Sequence, residues 1–175
     1  MQVHQTKYLV EIGFSPMQAA WALGLVAMVG IPGQILLGAL SDRIGREIVW
    51  SIASLGFAIC YAALLALAAG PSEPLLYLMV LSQGVLGYSF TSLMGAVVAE
   101  IFEGPHFGSI FSLLMVSLLA GGAVGPWITG VLYDVEGTYT TAFAVALGFS
   151  VLGAASIWFA SPGKVRMVAG RAAKG

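Results

Sequence analysis

The sequence predicts an all-α fold, a polytopic bundle of five membrane-spanning helices, and three observations carry that prediction. Residues of the set Ala, Val, Ile, Leu, Met, Phe, Trp, Tyr and Cys make up 59% of the 175 positions, against about 45–50% in a soluble domain even with Gly counted. Charged residues are 9%, where a soluble domain carries about 25%; so few charges cannot coat a globule in water. The charges are also clustered. Five stretches contain no Asp, Glu, Lys or Arg, and each runs 25 residues or more: Ile12–Ser41, Ile48–Ser72, Pro74–Ala99, Gly104–Tyr133 and Gly137–Gly163.

A helix of about 20 mostly apolar residues crosses ~30 Å of hydrocarbon, so all five stretches qualify as spans with room for tilt. We place them at Pro16–Leu40, Glu47–Ala69, Leu75–Ala99, Phe107–Leu132 and Thr140–Ala160. A soluble protein with five buried helices of this kind would have no surface to present to water. A membrane β-barrel is excluded because its strands alternate apolar and polar residues over about ten positions, and these runs are longer and uniformly apolar. Residues 1–15, with His4, Lys7 and Glu11, are too short and too charged to cross and lack the basic start and apolar stretch of a signal peptide. They read as a lead-in on the outer side. Residues 16–163 are the membrane part and residues 164–175 a basic tail.

Orientation follows from the basic residues. Arg43 and Arg46 lie between the first and second spans, and Lys164, Arg166, Arg171 and Lys174 follow the fifth. Five spans put those two segments on one face, which we assign to the cytoplasm. The opposite face holds Lys7 with Glu73, Asp134 and Glu136. The N-terminus is then expected outside and the C-terminus inside, in a cell membrane of the bacterial inner-membrane kind.

Other function classes are poorly supplied. A net charge of −1 gives no electrostatic footprint for nucleic acid. Cys60 is the single cysteine, so no intrachain disulfide or cysteine metal cluster forms. With His4 and His106 the only histidines, neither a metal nor a cofactor is expected. No span offers an Asp/Glu/His cluster or a Ser–His pairing, so no catalytic residue is assigned.

Inside the spans, small residues dominate, as where helices pack closely in lipid; Gly121 and Gly125 form a GxxxG pair. Pro32 and Pro126 each remove a helical N–H, leaving the carbonyls of Met28 and Gly122 without their usual partners. Such breaks occur in transporters and in membrane helices generally, and by themselves favour neither. On the third span Gln83, Gly87 and Thr91 share one stripe at four-residue spacing, and Tyr77, Gly84, Tyr88 and Ser92 the adjacent one. That polar face suits either substrate contact or interhelical hydrogen bonds. Ser117 lies on the face of Gly121 and Gly125. Gln34 reads as a packing or gate residue near the cytoplasmic end. Trp21 and Trp158 read as interfacial anchors, and Cys60 as inert.

The first cytoplasmic connection carries the most specific signal: Gly38-Ala-Leu-Ser-Asp42-Arg43-Ile-Gly45-Arg46-Glu47. Asp42 and Arg46 are spaced to pair in a tight turn, and Gly45 permits backbone closed to other residues. Spacing alone leaves two readings open, a breakable latch and a plain charged turn. The segment resembles the G-x-x-x-D-R-x-G-R-R/K signature of the major facilitator superfamily, which recurs after the second helix of each six-helix half. Gly38, Asp42, Arg43, Gly45 and Arg46 match; Glu47 stands where that family has a basic residue. Three helices on, Gly121-Gly-Ala-Val-Gly125-Pro126-Trp-Ile-Thr-Gly130 resembles the G-x-x-x-G-P run of the fifth helix in a half. Tyr133-Asp134-Val-Glu-Gly137-Thr-Tyr139 and the opening Val3-His4…Gly13-Phe14-Ser15-Pro16 are similar to the monocarboxylate-carrier-like branch.

This resemblance implies that the five spans are helices eight to twelve of a twelve-helix carrier, with the end of the seventh at residues 1–15. It implies a secondary transporter working by alternating access, whose partners are the lipid bilayer, a small-molecule substrate and the missing amino-terminal half. Gly38, Asp42, Arg43, Gly45 and Arg46 would form a conformational latch. Pro32, Gly121, Gly125, Pro126 and Gly130 would serve packing and hinging. Gln83, Tyr88, Thr91, Ser92, Ser117 and His4 are the substrate-lining candidates. An organic anion such as a monocarboxylate fits the branch, although the charged pair and the lysine that relatives place in their eighth and eleventh helices have no counterpart here. The competing expectation is a non-transporting scaffold or assembly subunit.

Overall fold

A computed structural model describes residues 2–102 and 104–160 of the chain. Its elements are α1 (Gln2–Glu11), α2 (Pro16–Ile44), α3 (Arg46–Leu67), α4 (Glu73–Leu81), a π-helical segment (Ser82–Gly87), α5 (Ser89–Ile101), α6 (Phe107–Glu136) and α7 (Thr140–Ala160). Among the described residues, five helices are long and apolar enough to span a membrane; α4, the π segment and α5 together make the third. The chain is a polytopic membrane bundle. The expected basic tail, residues 164–175, lies outside the described residues.

Local chemistry sets the helix ends. Ser15 caps α2: its hydroxyl accepts from the Gln18 N–H at 3.2 Å while Gln18 reaches back to the Ser15 N–H at 3.0 Å, a capping box with Pro16 in the first turn, where no N–H is needed. A single residue, Gly45, separates α2 from α3. Its φ of +107° is closed to side-chain-bearing residues, so a sharp helix-to-helix turn is possible there and nowhere adjacent. α6 ends at Gly137 in the left-handed conformation, the common helix stop.

Residues 2–11 pack as part of the bundle. They form a helix that buries Gln5, Tyr8 and Leu9, and the Tyr8 hydroxyl donates to the Leu64 carbonyl on α3 at 2.6 Å. The largest core cluster joins α1 to α2, α3, α4 and the start of α7 through Leu9, Val26, Leu64, Met79 and Phe143. Of α6, only Thr129 is buried.

The π segment is the main departure from the expected uniform third span. The Tyr88 N–H reaches the Gln83 carbonyl at 3.0 Å, one residue further than an α-helix allows. Such an insertion rotates everything beyond it by about 100°. The segment is wedged between α2 and α3, and glycines make the room. A Cβ at Gly33 would stand 2.5 Å from the Val85 carbonyl oxygen, and one at Gly84 2.7 Å from that of Val26. A Cβ at Gly56 would stand 2.7 Å from the Ser82 carbonyl oxygen. The expected packing pair behaves differently: a Cβ at Gly121 or Gly125 meets nothing within 4 Å. Among the described residues the close helix approaches therefore belong to α2, α3 and the π segment rather than to the GxxxG pair on α6.

Candidate functional site

Three polar constellations and one apolar cleft organise the bundle.

The first stands at the α2–α3 turn. Arg46 opens α3, and Asp42 lies in the last turn of α2, so the two face each other across Gly45. Arg46 Nη2 is 2.5 Å from Asp42 Oδ1. Its Nε donates to Glu100 Oε1 at 3.0 Å, and its Nη1 donates to the Ser41 hydroxyl, which in turn donates to the Gly38 carbonyl at 2.6 Å. One planar guanidinium thus ties the end of α2 to the end of α5, the fork geometry that suits Arg rather than Lys. The Arg46 and Glu100 side chains are 13% and 14% exposed, while Asp42 is 63% exposed. The inner pair is therefore the stronger electrostatic contact and the outer one the more screened. Arg43 is exposed. Glu47 is buried in the first turn of α3, where the helix dipole favours a carboxylate. That gives a physical reason for an acid at the position expected to be basic.

The second constellation gathers around α1. His4, expected on a solvated lead-in, is half-buried between α6 and α7. Its Nε2 lies 3.1 Å from the Pro126 carbonyl oxygen and its Nδ1 3.3 Å from the Tyr139 hydroxyl. A carbonyl only accepts, so Nε2 is the donor to Pro126, and Nδ1 pairs with the Tyr139 hydroxyl. Burial pushes the Tyr139 phenol above its usual pKa, which keeps it a neutral O–H donor. Nearby, the Tyr133 hydroxyl donates to Glu11 at 2.7 Å, and Lys7 Nζ stands 3.9 Å above the Tyr133 ring, a cation–π arrangement.

The third is the polar face of the third span. Gln83 lies in the π segment and Thr91 beyond it on α5, and the two have different surroundings. Gln83 is buried and accepts from the Cys60 thiol at 3.5 Å. Gln5 Nε2 approaches the same sulfur at 3.9 Å, and Gln5 Oε1 has no hydrogen-bond partner among the described residues. Cys60 is therefore a member of a buried polar trio rather than an isolated residue. Thr91 and Ser92 are exposed; their hydroxyls meet the Gln34 side-chain oxygen at 2.8 Å and its backbone carbonyl at 3.4 Å. Tyr88 packs its ring on Gly30. Ser117 is exposed and bonds back to the Leu113 carbonyl at 3.2 Å, far from the Gln34–Thr91 pair in sequence and on a different helix. Pro32 and Pro126 sit inside continuous helices; Gly130 lies 3.8 Å from His4 through its would-be Cβ.

Sequence reasoning missed Glu100 and Gln5 as site residues. A signal existed for each. Glu100 is a lone acid ending a span on the face assigned to Arg46, and Gln5, Tyr8, Leu9 and Ile12 recur at helical spacing.

The cleft runs between α3, α6 and α7, with about 540 Å3 of space bounded by Phe57, Tyr61, Leu118, Ile128, Val145 and Phe149 among others.

A bundle of five long apolar helices joined at one end by a charged turn defines a multi-pass membrane protein. The sequence comparisons give the family: a profile described as Major Facilitator Superfamily matches residues 5–174, and the chain belongs to that family. It is similar to monocarboxylate transporter 12 of Rattus norvegicus, 29% identical over 154 residues, covering 86% of this chain and 31% of the relative. It is also similar to monocarboxylate transporter 13 of the same organism, 24% identical over 151 residues, covering 86% of this chain and 35% of that relative. The class C tetracycline resistance protein of Escherichia coli is 34% identical over 109 residues, 59% of this chain and 26% of the relative. The chain thus spans about a third of the length of the curated relatives it matches. No solved structure gives a significant match.

Proposed function

We propose that this chain forms most of the carboxyl-terminal half of a secondary active transporter that moves a small solute by alternating access, with the site at its interface with an amino-terminal half. One observation carries the reading: Arg46 joins the α2–α3 turn to the far end of α5 through Asp42 and Glu100. Such a contact holds one arrangement of helices and is released when the helix ends separate. Residues 2–11 stand in for the end of helix seven, the N-terminus faces outward, and the Arg43–Arg46 turn faces the cytoplasm of a cell membrane. A monocarboxylate is the first solute to test, because two of the relatives carry that word in their names. The buried Gln5–Cys60–Gln83 trio and the Gln34–Thr91 pair are the polar groups available to the half-channel.

The test is solute uptake into vesicles by the complete carrier. Asp42→Asn is expected to slow the turnover about threefold while leaving the half-saturating solute concentration within about twofold; the loss of one screened pair, about 0.7 kcal/mol, corresponds to that rate. Wild-type turnover in that variant removes the latch. Absence of uptake by the wild-type carrier for every monocarboxylate and small organic solute tried favours the scaffold reading instead.

A further inference from the structure

The latch and the polar trio leave the π segment without a role of its own. A helix carrying one surplus residue can expel it, and every residue beyond then turns by about 100° and moves about 1.5 Å along the axis. The hydrogen bonds around Ser82–Gly87 suit such a change. The Thr91 N–H takes the Tyr88 carbonyl three residues back, at 3.3 Å, next to the five-residue bond that Tyr88 itself makes to Gln83. The Ser82, Ser89 and Ser92 hydroxyls donate to the Met79, Leu86 and Ser89 carbonyls, giving each carbonyl a donor that does not depend on the winding. Thr91 Oγ1 lies 2.8 Å from both the Tyr88 carbonyl and Gln34 Oε1. Its single proton serves one of them at a time, so the contact to α2 competes with the contact inside the third span.

We propose that Ser82–Gly87 exchanges between π and α winding and that this exchange opens the Arg46 latch; its consequence for transport rests on the alternating-access reading above. In the α register each site held by a residue of α5 passes to the residue before it. Ala99 comes to the place where Glu100 meets Arg46, so the inner carboxylate is withdrawn from the guanidinium. Ser92 and Ala96 come to the places where Leu93 and Val97 are buried, and Tyr88 to that of Ser89. The α register therefore packs less well, and the π register is the resting one. The latch thus has a release inside a single half of the carrier.

The experiment is disulfide trapping in the full chain in lipid vesicles, on a Cys60→Ser background. A Cβ at Gly38 stands 3.7 Å from the Ser92 Cβ, and no atom of Thr91 lies within 4 Å of it. Disulfides form at Cβ separations of about 3.5–4.5 Å. Gly38→Cys with Ser92→Cys therefore reports the π register, and Gly38→Cys with Thr91→Cys the α register. Both pairs should form, the second about tenfold more slowly, as suits a minor state populated at about 10%. Removing Val85 takes out the surplus residue while α5 keeps its facing. The Ser92 pair should then keep its rate, and the Thr91 pair should slow a further tenfold or about that. Glu100→Gln frees α5 from Arg46 and should raise the ratio of the Thr91 rate to the Ser92 rate about tenfold. An unchanged Thr91 rate without Val85, an unchanged ratio in Glu100→Gln, or no Thr91 crosslink at all overturns the proposal. Should the shortened chain fail to fold by circular dichroism, the Glu100→Gln ratio decides alone. No uptake enters these measurements, so the carrier reading and the register exchange stand or fall separately.

Discussion

Replacing Gly56 by alanine would put a methyl carbon 2.4 Å from the Leu86 Cβ, 2.7 Å from the Ser82 carbonyl oxygen and 2.8 Å from the Gly87 nitrogen. Two of these neighbours are backbone and cannot rotate away. Ordinary contacts lie at about 3.5–4.0 Å, so α3 and the π segment must part by about 1 Å. Overpacking costs about 1–3 kcal/mol, and unyielding backbone puts this case near 3. Alanine's better helix propensity returns about 1 kcal/mol. The net destabilisation of about 2 kcal/mol multiplies the open fraction about 30-fold. Cys60 supplies the probe, because it is the single cysteine and fully buried. Its rate of labelling by a maleimide in detergent should rise about 30-fold in Gly56→Ala on that basis. Gly121→Ala, whose new methyl meets nothing within 4 Å, should label no faster than wild type. Equal slow rates in the two variants would refute the claim that the π segment is held by glycine-mediated contact.

Two further outcomes follow from the polar constellations. Glu100→Gln leaves Arg46 with Asp42 as its remaining carboxylate partner among the described contacts; it should destabilise by about 1–3 kcal/mol, and a double-mutant cycle with Asp42→Asn should show coupling, which would be absent if the two acids act independently. His4→Ala removes the contacts to Pro126 and Tyr139, so amide hydrogen exchange in α1 should quicken while the α3–α7 contact, held by the Trp50 indole donating to the Gly153 carbonyl at 3.0 Å, keeps its protection.

The spans were legible because burial in lipid leaves a one-dimensional mark, the absence of charge. The expected Thr140 start agrees with that of α7, and the expected Pro16–Leu40 falls short of α2 by only four residues, because Asp42 and Arg43 extend the helix beyond the hydrocarbon. The π segment left no such mark. One extra residue in a turn changes no composition, yet it shifts the register of α5 relative to α4 by about 100°. Glycine content was equally mute about contact: Gly56 and Gly121 look alike in sequence, and only the neighbouring helix distinguishes them. The Asp42–Arg46 spacing was readable within one turn, whereas Glu100 lies 54 residues from Arg46 and becomes its partner only through the packing of α5 beside α3.

The threading of the chain through the bilayer is the claim on which the latch and the buried trio both depend. It is tested most directly by single-cysteine accessibility in sealed vesicles, with Cys60→Ser as background. Cysteines introduced at Arg43 and His106 should react with a membrane-impermeant maleimide from one side, and those at Ser72 and Gly137 from the other. Labelling of all four from the same side would contradict the five-span arrangement.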